Sequence, residues 1–185
     1  MQTNLYATEK KYEKDEKGIL SLMYHRFEEN KYPSTNIKMA VFKKHMEIIK
    51  NNNFEFFDPK DFEKEFYNVK INKKILITID DAFLSFYNNA WPYLKENKIP
   101  FILFTSTETI GNKGYMSMDQ LKEVESYSFA YLGNHSHSHE YMVEFDFEKY
   151  TKDINKSIEI FNAQFNYNPI FFSYPFGEYS LEQKK

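Results

Sequence analysis

Residues 74–79, Lys-Ile-Leu-Ile-Thr-Ile, form an apolar run broken only by Lys74 and Thr78. A strand with one face in water alternates apolar and polar residues, so this run is covered on both faces. That requirement points to an α/β arrangement in which helices lie over a parallel sheet. The flanking sequence agrees. Ile19–Phe27 reads as a buried strand ending in Tyr24-His25-Arg26. Residues 37–53 read as a helix with Val41, Phe42, Met46 and Ile49 on one stripe, stopped by Asn51-Asn52-Asn53. Phe54–Phe57 is a short strand, and Asp58 or Asp61 caps a small helix reaching Asn68.

The alternation continues. Ser85–Lys98 is a helix with Pro92 as its weak point, and Phe101–Phe104 the next strand. Ser117 caps a helix through Leu121 and Val124, and Phe129–Leu132 leads into a histidine run. Phe147–Phe165 is a long helix, apolar at Ile154, Ile158 and Phe161, and Ile170–Tyr174 is a strand ending at Pro175. The order predicts a parallel sheet or barrel in one domain over 19–185, after a polar leader over 1–18.

Composition narrows the chemistry. A chain of 185 residues buries a sizeable core, and 19 Phe with 15 Tyr make that core aromatic. A net charge of −3, with Arg26 the only arginine, gives no general attraction to nucleic acid and serves bidentate phosphate recognition poorly. The lack of cysteine excludes disulfides and thiolate sites, so any metal takes nitrogen and oxygen ligands. No apolar run approaches the ~20 residues of a membrane helix. The leader holds no hydrophobic signal core, so the chain either stays inside the cell or starts downstream of a removed signal.

In parallel α/β folds, functional groups collect at the C-terminal ends of strands. His25, Asp80, Asp81, His135, His139 and the Tyr174–Gly177 turn all fall at such ends. Asp80 and Asp81 are adjacent and point in different directions, so one can bind a metal while the other stays free as a base. The competing reading is an N-cap for the helix opening near Ser85. His135, His137 and His139 are three of the five histidines. If the segment turns helically, His135 and His139 share a side and His137 points away. An aspartate with two histidines leaves positions open for water and substrate, as hydrolytic metal sites require. The rival is a histidine-decorated surface loop that holds no metal.

Thr78-Ile79-Asp80-Asp81, Gly133-Asn134-His135-Ser136-His137-Ser138-His139 and Ser173-Tyr174-Pro175-Phe176-Gly177 together resemble three motifs of the polysaccharide deacetylase family, the NodB-homology domain of carbohydrate esterase type. Tyr24-His25 resembles a branch whose opening strand ends in Tyr-His. The resemblance spans 19–185 and implies a distorted parallel (β/α) barrel, incomplete at its C-terminus. It implies a carbohydrate deacetylase that removes N-acetyl (or O-acetyl) groups from a polysaccharide or amino-sugar polymer. Carried over residue by residue, Asp81, His135 and His139 are metal ligands and Asp80 the catalytic base. His25, Tyr174, Pro175 and Phe176 bind substrate, with the Phe176 N–H as an oxyanion donor. The implied cofactor is a divalent metal, Zn2+ first, with Ni2+, Co2+ or Mn2+ suiting the same donors. The implied partner is an acetylated polysaccharide or oligosaccharide, and the implied place is the cell envelope or periplasm.

The chain departs from the family pattern at several points. Ser173 stands where many members have arginine, and Ala82 where glycine is usual. The late Leu-x-His segment carrying the general acid has no counterpart, which leaves His25 or His137 as substitutes. Two alternatives follow: a carbohydrate-binding remnant with weak or no turnover, and an amidohydrolase of small amides. Tyr87, Trp91, Tyr115 and Phe176 are candidates for a sugar-stacking floor, with Trp91 expected in the core instead.

Overall fold

A computed structural model describes residues 18–66 and 74–181. Most of the 1–18 leader, the helix end at Asn68 and residues 182–185 lie outside the described residues. The elements are β1 (Ile19–Tyr24), β2 (Arg26–Phe27), β3 (Asn36–Ile37), α1 (Met39–Asn51), β4 (Glu55–Phe56), α2 (Phe62–Phe66) and β5 (Lys74–Ile79). They continue with α3 (Trp91–Asn97), β6 (Phe101–Thr105), α4 (Met118–Glu125), β7 (Ala130–Asn134) and α5 (Phe147–Phe165). Five strands form one sheet in the order β1-β5-β6-β7, with β4 also on β5, and β2 pairs separately with β3.

Every strand pairing is parallel. β1 runs beside the whole of β5, from Ile19 opposite Lys74 to Tyr24 opposite Ile79. β4 takes the first two residues of β5, and β6 meets Ile77–Ile79. Both faces of β5 are covered, as its lack of alternation requires. Ile75, Ile77 and Ile79 join the main core with Phe42, Met46, Trp91 and Leu94. Leu76 faces a second cluster with Phe57, Ile102 and Phe104. Each such buried side chain contributes about 1.5–3 kcal/mol relative to exposure.

Three elements differ from the sequence reading, each for a visible reason. The strand expected over 19–27 is interrupted at His25. Arg26 N bonds Thr35 O and Glu28 N bonds Ile37 O, which draws the chain off the sheet and leaves His25 at the corner. The helix expected over 85–98 opens as a π-helical turn, Phe86–Ala90, and becomes α-helical at Trp91. Pro92 sits in the first turn of α3, directly after that π turn, in which Trp91 N donates to Phe86 O. The strand expected over 170–174 reduces to a single bridge between Phe172 and Asn134. Two hydrogen bonds make it, Asn134 N to Phe171 O and Ser173 N to Asn134 O, and pairing stops where β7 turns into the histidine loop.

α4 starts with a full capping box of Ser117 and Gln120. α5 keeps its expected bounds, capped by Asp146 and ended by left-handed Asn166. Its deepest stripe is Asp153, Ser157 and Phe161, while Ile154 and Ile158 are only half-buried. Two polar residues lie where the apolar period placed isoleucines.

Candidate metal centre

β5 delivers Asp80 and Asp81 to the sheet's C-terminal rim. Asp80 keeps strand pairing, its N–H donating to Tyr24 O at 2.8 Å. Asp81 and Ala82 then take left-handed backbones, φ 72° and 51°. Such a conformation costs an L-residue roughly 1–2 kcal/mol, and here it turns the two carboxylates apart. Asp81 Oδ1 lies 2.8 Å from His139 Nε2 and 3.5 Å from His135 Nε2. One ligand atom from each of the three residues lies within 4.8 Å of the others.

The two histidines converge without a helical turn. Ser136 and His139 have φ of 67° and 55°, so the loop folds back on itself through two left-handed residues. Ser136 Oγ accepts from His139 N at 3.0 Å, and Ser106 Oγ donates to His135 O at 2.6 Å. His137 turns to Thr107 Oγ1, 2.8 Å from its Nδ1, and takes no part in the cluster. His135 Nδ1 lies 2.7 Å from Ser173 O. A carbonyl only accepts, so Nδ1 carries a proton; Nε2 donates to Asp81 when the ring is doubly protonated, and in the neutral ring it holds the lone pair a metal ligand needs.

The electrostatics separate the two carboxylates. Burial raises Asp81, but hydrogen bonds from His135 and His139 outweigh it and hold the carboxyl well below its usual range. Burial raises Asp80 and wins, although the charges of His135 and His25 oppose it; the Asp81 charge adds to the rise. Asp80 Oδ2 accepts from Ser173 Oγ at 3.3 Å, while Oδ1 is buried with no hydrogen-bond partner among the described residues. Burial lowers His135, but its hydrogen bond to Asp81 and the Asp80 charge carry the net shift upward. Pairs of titratable groups driven apart in this way mark acid–base sites. One carboxylate oxygen and two imidazole nitrogens also fit a divalent first-row ion with positions left open.

The other expected residues are distributed as follows. His25 is half-buried, within electrostatic reach of Asp80, and lines a cavity of ≈ 260 Å³ with Ser34, Thr35 and Asn36. Phe176 is 60% exposed, its ring 5.0 Å from that of His139 and 5.2 Å from that of Tyr141. Pro175 is buried, and Tyr174 packs on Phe172 and Tyr179. Arg26 pairs with Glu29 at 3.0 Å and lies 3.4 Å over the Phe83 ring, so the polar partner of Asp80 is Ser173. Tyr115 stacks against Phe83 and feels the Asp81 charge. Tyr87 and Trp91 both bond Glu123, and Trp91 is 2% exposed, a core residue.

Sequence reasoning missed Ser106, Thr107, Asp153 and Ser157, which hold the histidine loop from behind. The one available signal was two polar residues four apart beside the apolar stripe of α5.

A parallel α/β sheet thus carries an Asp–His–His cluster at its C-terminal rim, with a second buried aspartate alongside, an arrangement suited to metal-assisted hydrolysis. Residues 68–185 match the family model for polysaccharide deacetylase, and the chain belongs to that family. It is 26% identical over 166 residues to YxkH of Bacillus subtilis (strain 168), named as a polysaccharide deacetylase, covering 89% of this chain and 58% of that protein. It is 26% identical over 204 residues to the poly-β-1,6-N-acetyl-D-glucosamine N-deacetylase of Staphylococcus epidermidis, covering 95% of this chain and 70% of that one. Among solved structures, IcaB from Ammonifex degensii shares the fold with a TM-score of 0.81 at 22% identity, over 91% of this chain and 78% of that one. The Streptococcus pyogenes deacetylase PplD, in complex with acetate, gives 0.80 at 22% identity, over 91% and 77%.

Proposed function

We propose that this chain is a metal-dependent deacetylase that removes N-acetyl groups from an amino-sugar polymer, with Asp81, His135 and His139 as metal ligands and Asp80 as general base. The observation that carries the reading is the divergence of the two aspartates. Asp81 is tied to both imidazoles, whereas Asp80 is buried, its Oδ1 unpartnered among the described residues and its pKa raised. A divalent ion, Zn2+ first, supplies Lewis acidity toward a water and an acetyl carbonyl.

The protein's own groups perform the rest. Asp80 Oδ1 accepts the proton of the attacking water while Ser173 steadies Oδ2. The Phe176 N–H donates to the carbonyl oxygen as charge develops on it. The C–N bond breaks, His25 protonates the departing amine, and acetate and a free amino sugar leave. Of His25 and His137, His25 lies within electrostatic reach of Asp80, while His137 faces Thr107. Phe176 and Tyr115 offer ring faces at the rim for a sugar.

The Staphylococcus epidermidis relative's name supports a β-1,6-linked N-acetylglucosamine polymer as the first substrate to try. With a polymer of that kind as substrate, residues 19–185 would act as a catalytic domain at the cell envelope. The test is acetate release from β-1,6-linked and β-1,4-linked N-acetylglucosamine oligosaccharides, with metal content measured beside it. One metal per chain and acetate release, both lost in Asp81→Ala, support the proposal. Stoichiometric metal with no acetate from either would favour a carbohydrate-binding remnant, and no metal would remove the reading.

A further inference from the structure

We infer that Asp153 of α5 is a positioning residue for the metal centre: its carboxylate holds the histidine loop in the conformation that brings His135 and His139 together. The inference rests on the metal-site reading above and extends it to a helix that supplies no ligand. Asp153 Oδ1 accepts from His137 N at 2.7 Å and Oδ2 from Ser138 N at 3.1 Å. Both oxygens are thus committed to two consecutive amides in the middle of the loop. One turn later on α5, Ser157 Oγ donates to Asn134 Oδ1 at 2.7 Å, just before the loop begins.

Asp153 and Ser157 are four apart and buried, so they share one helix face and grip the loop at two points. The loop needs that grip. Ser136 and His139 flank the held amides and both have left-handed backbones that their side chains disfavour. A carboxylate is the side chain suited to accept from two neighbouring N–H groups at once, and such charge-assisted bonds are the stronger kind. A buried aspartate on the inner face of α5, with no lysine or arginine partner among the ion pairs of the described residues, is explained by this task. Groups that orient ligands in this way commonly set 10–100-fold in metal affinity.

The test uses the metal-free full chain titrated with Co2+, read from the visible absorption bands, for wild type, Asp153→Asn, Ser157→Ala and Asp146→Ala. Asp146→Ala removes the α5 N-cap without touching the loop, and so reports what weakening the helix alone does. Asp153→Asn is expected to weaken Co2+ binding roughly 10–100-fold and to alter the band shape. Asp146→Ala is expected to leave both as in wild type. Amide exchange at His137 and Ser138 in the metal-free chain is the second reading, and protection there should fall in Asp153→Asn. Co2+ binding and exchange both unchanged in Asp153→Asn would overturn the inference, as would an equal loss of affinity in Asp146→Ala. If wild type binds no Co2+ yet Asp153→Asn still loses protection, the metal-site reading fails while the loop-holding role stands.

Discussion

The carbonyl oxygen of Ser173 lies 2.7 Å from Nδ1 of His135, and this contact decides which ring nitrogen faces Asp81. The hydroxyl of the same serine reaches Asp80. A residue standing where the family pattern has arginine therefore braces both the histidine and the buried carboxylate. Its reach depends on the bridge between Phe172 and Asn134, which sets residues 171–173 against the end of β7.

Asp80 and Asp81 should fail in different ways. Asp80→Asn is expected to retain the metal and lose about 10²–10⁴-fold in kcat, the usual worth of one acid–base group. Asp81→Ala is expected to lose metal and turnover together. Metal analysis and acetate release on the same preparations check both; retention of kcat in Asp80→Asn would remove it as the base.

Metal affinity should rise with pH through the titration of His135. Its pKa is raised in the metal-free protein, and only the neutral ring binds metal. Apparent Co2+ affinity is thus expected to fall as pH drops through that raised value, by about tenfold per unit for one proton.

The stability of the metal-free chain should run the other way. A raised His135 pKa gives stability fully present below the unfolded value near ~6.5 and lost as pH rises through the folded value. A depressed Asp81 pKa gives stability present above ~3.9 and lost as pH falls through its folded value. The two shifts describe one ion pair, so its contribution is largest between about pH 4 and 6.5. Thermal melts of wild type and Asp81→Asn against pH check this: their difference should be widest in that window.

Gly133→Ala tests the close packing of β7 on β6. A Cβ there would lie 2.4 and 2.5 Å from two ring atoms of Phe104 and 3.0 Å from Ile102. The ring is packed in the second core cluster, so the variant should lose about 1–3 kcal/mol, read as a lower urea midpoint at unchanged slope.

Trp91→Ala should separate core from binding floor. Its ring sits edge-on to Phe101 and Tyr127. Truncation is expected to cost roughly 3–5 kcal/mol. The KM for oligosaccharide should not move, and a raised KM at unchanged stability would place Trp91 in the substrate path instead.

The sequence was most legible where one force dominates. β5 was readable to the residue because both of its faces are buried, and the bounds of α5 from its apolar period at Ile154, Ile158 and Phe161. The approximate site was readable because strand ends carry their residues to one rim. Tertiary hydrogen bonds were not readable: they divert the chain at His25 and limit 170–174 to one bridge. The spacing of His135 and His139 put them on one side if the segment turned helically, whereas left-handed Ser136 and His139 achieve the convergence. One local bond supports that choice, Ser136 Oγ accepting from His139 N, but the loop is also held by Asp153 and Ser157 of a later helix, which no local pattern reveals.

Asp81 meets the two imidazoles only through left-handed turns that the surrounding fold enforces. A denatured chain keeps the His-Ser-His-Ser-His run, with some weak chelating power, but separates it from Asp81. An ion held there, as proposed, would therefore be a ligand of the native state over the unfolded one. At a hundred times its dissociation constant, an ion absent from the denatured chain adds about 2.7 kcal/mol to stability, less whatever the free histidine run retains. Chelation should then lower the melting temperature of this chain as well as silence it, and its measured stability will depend on the metal in the buffer.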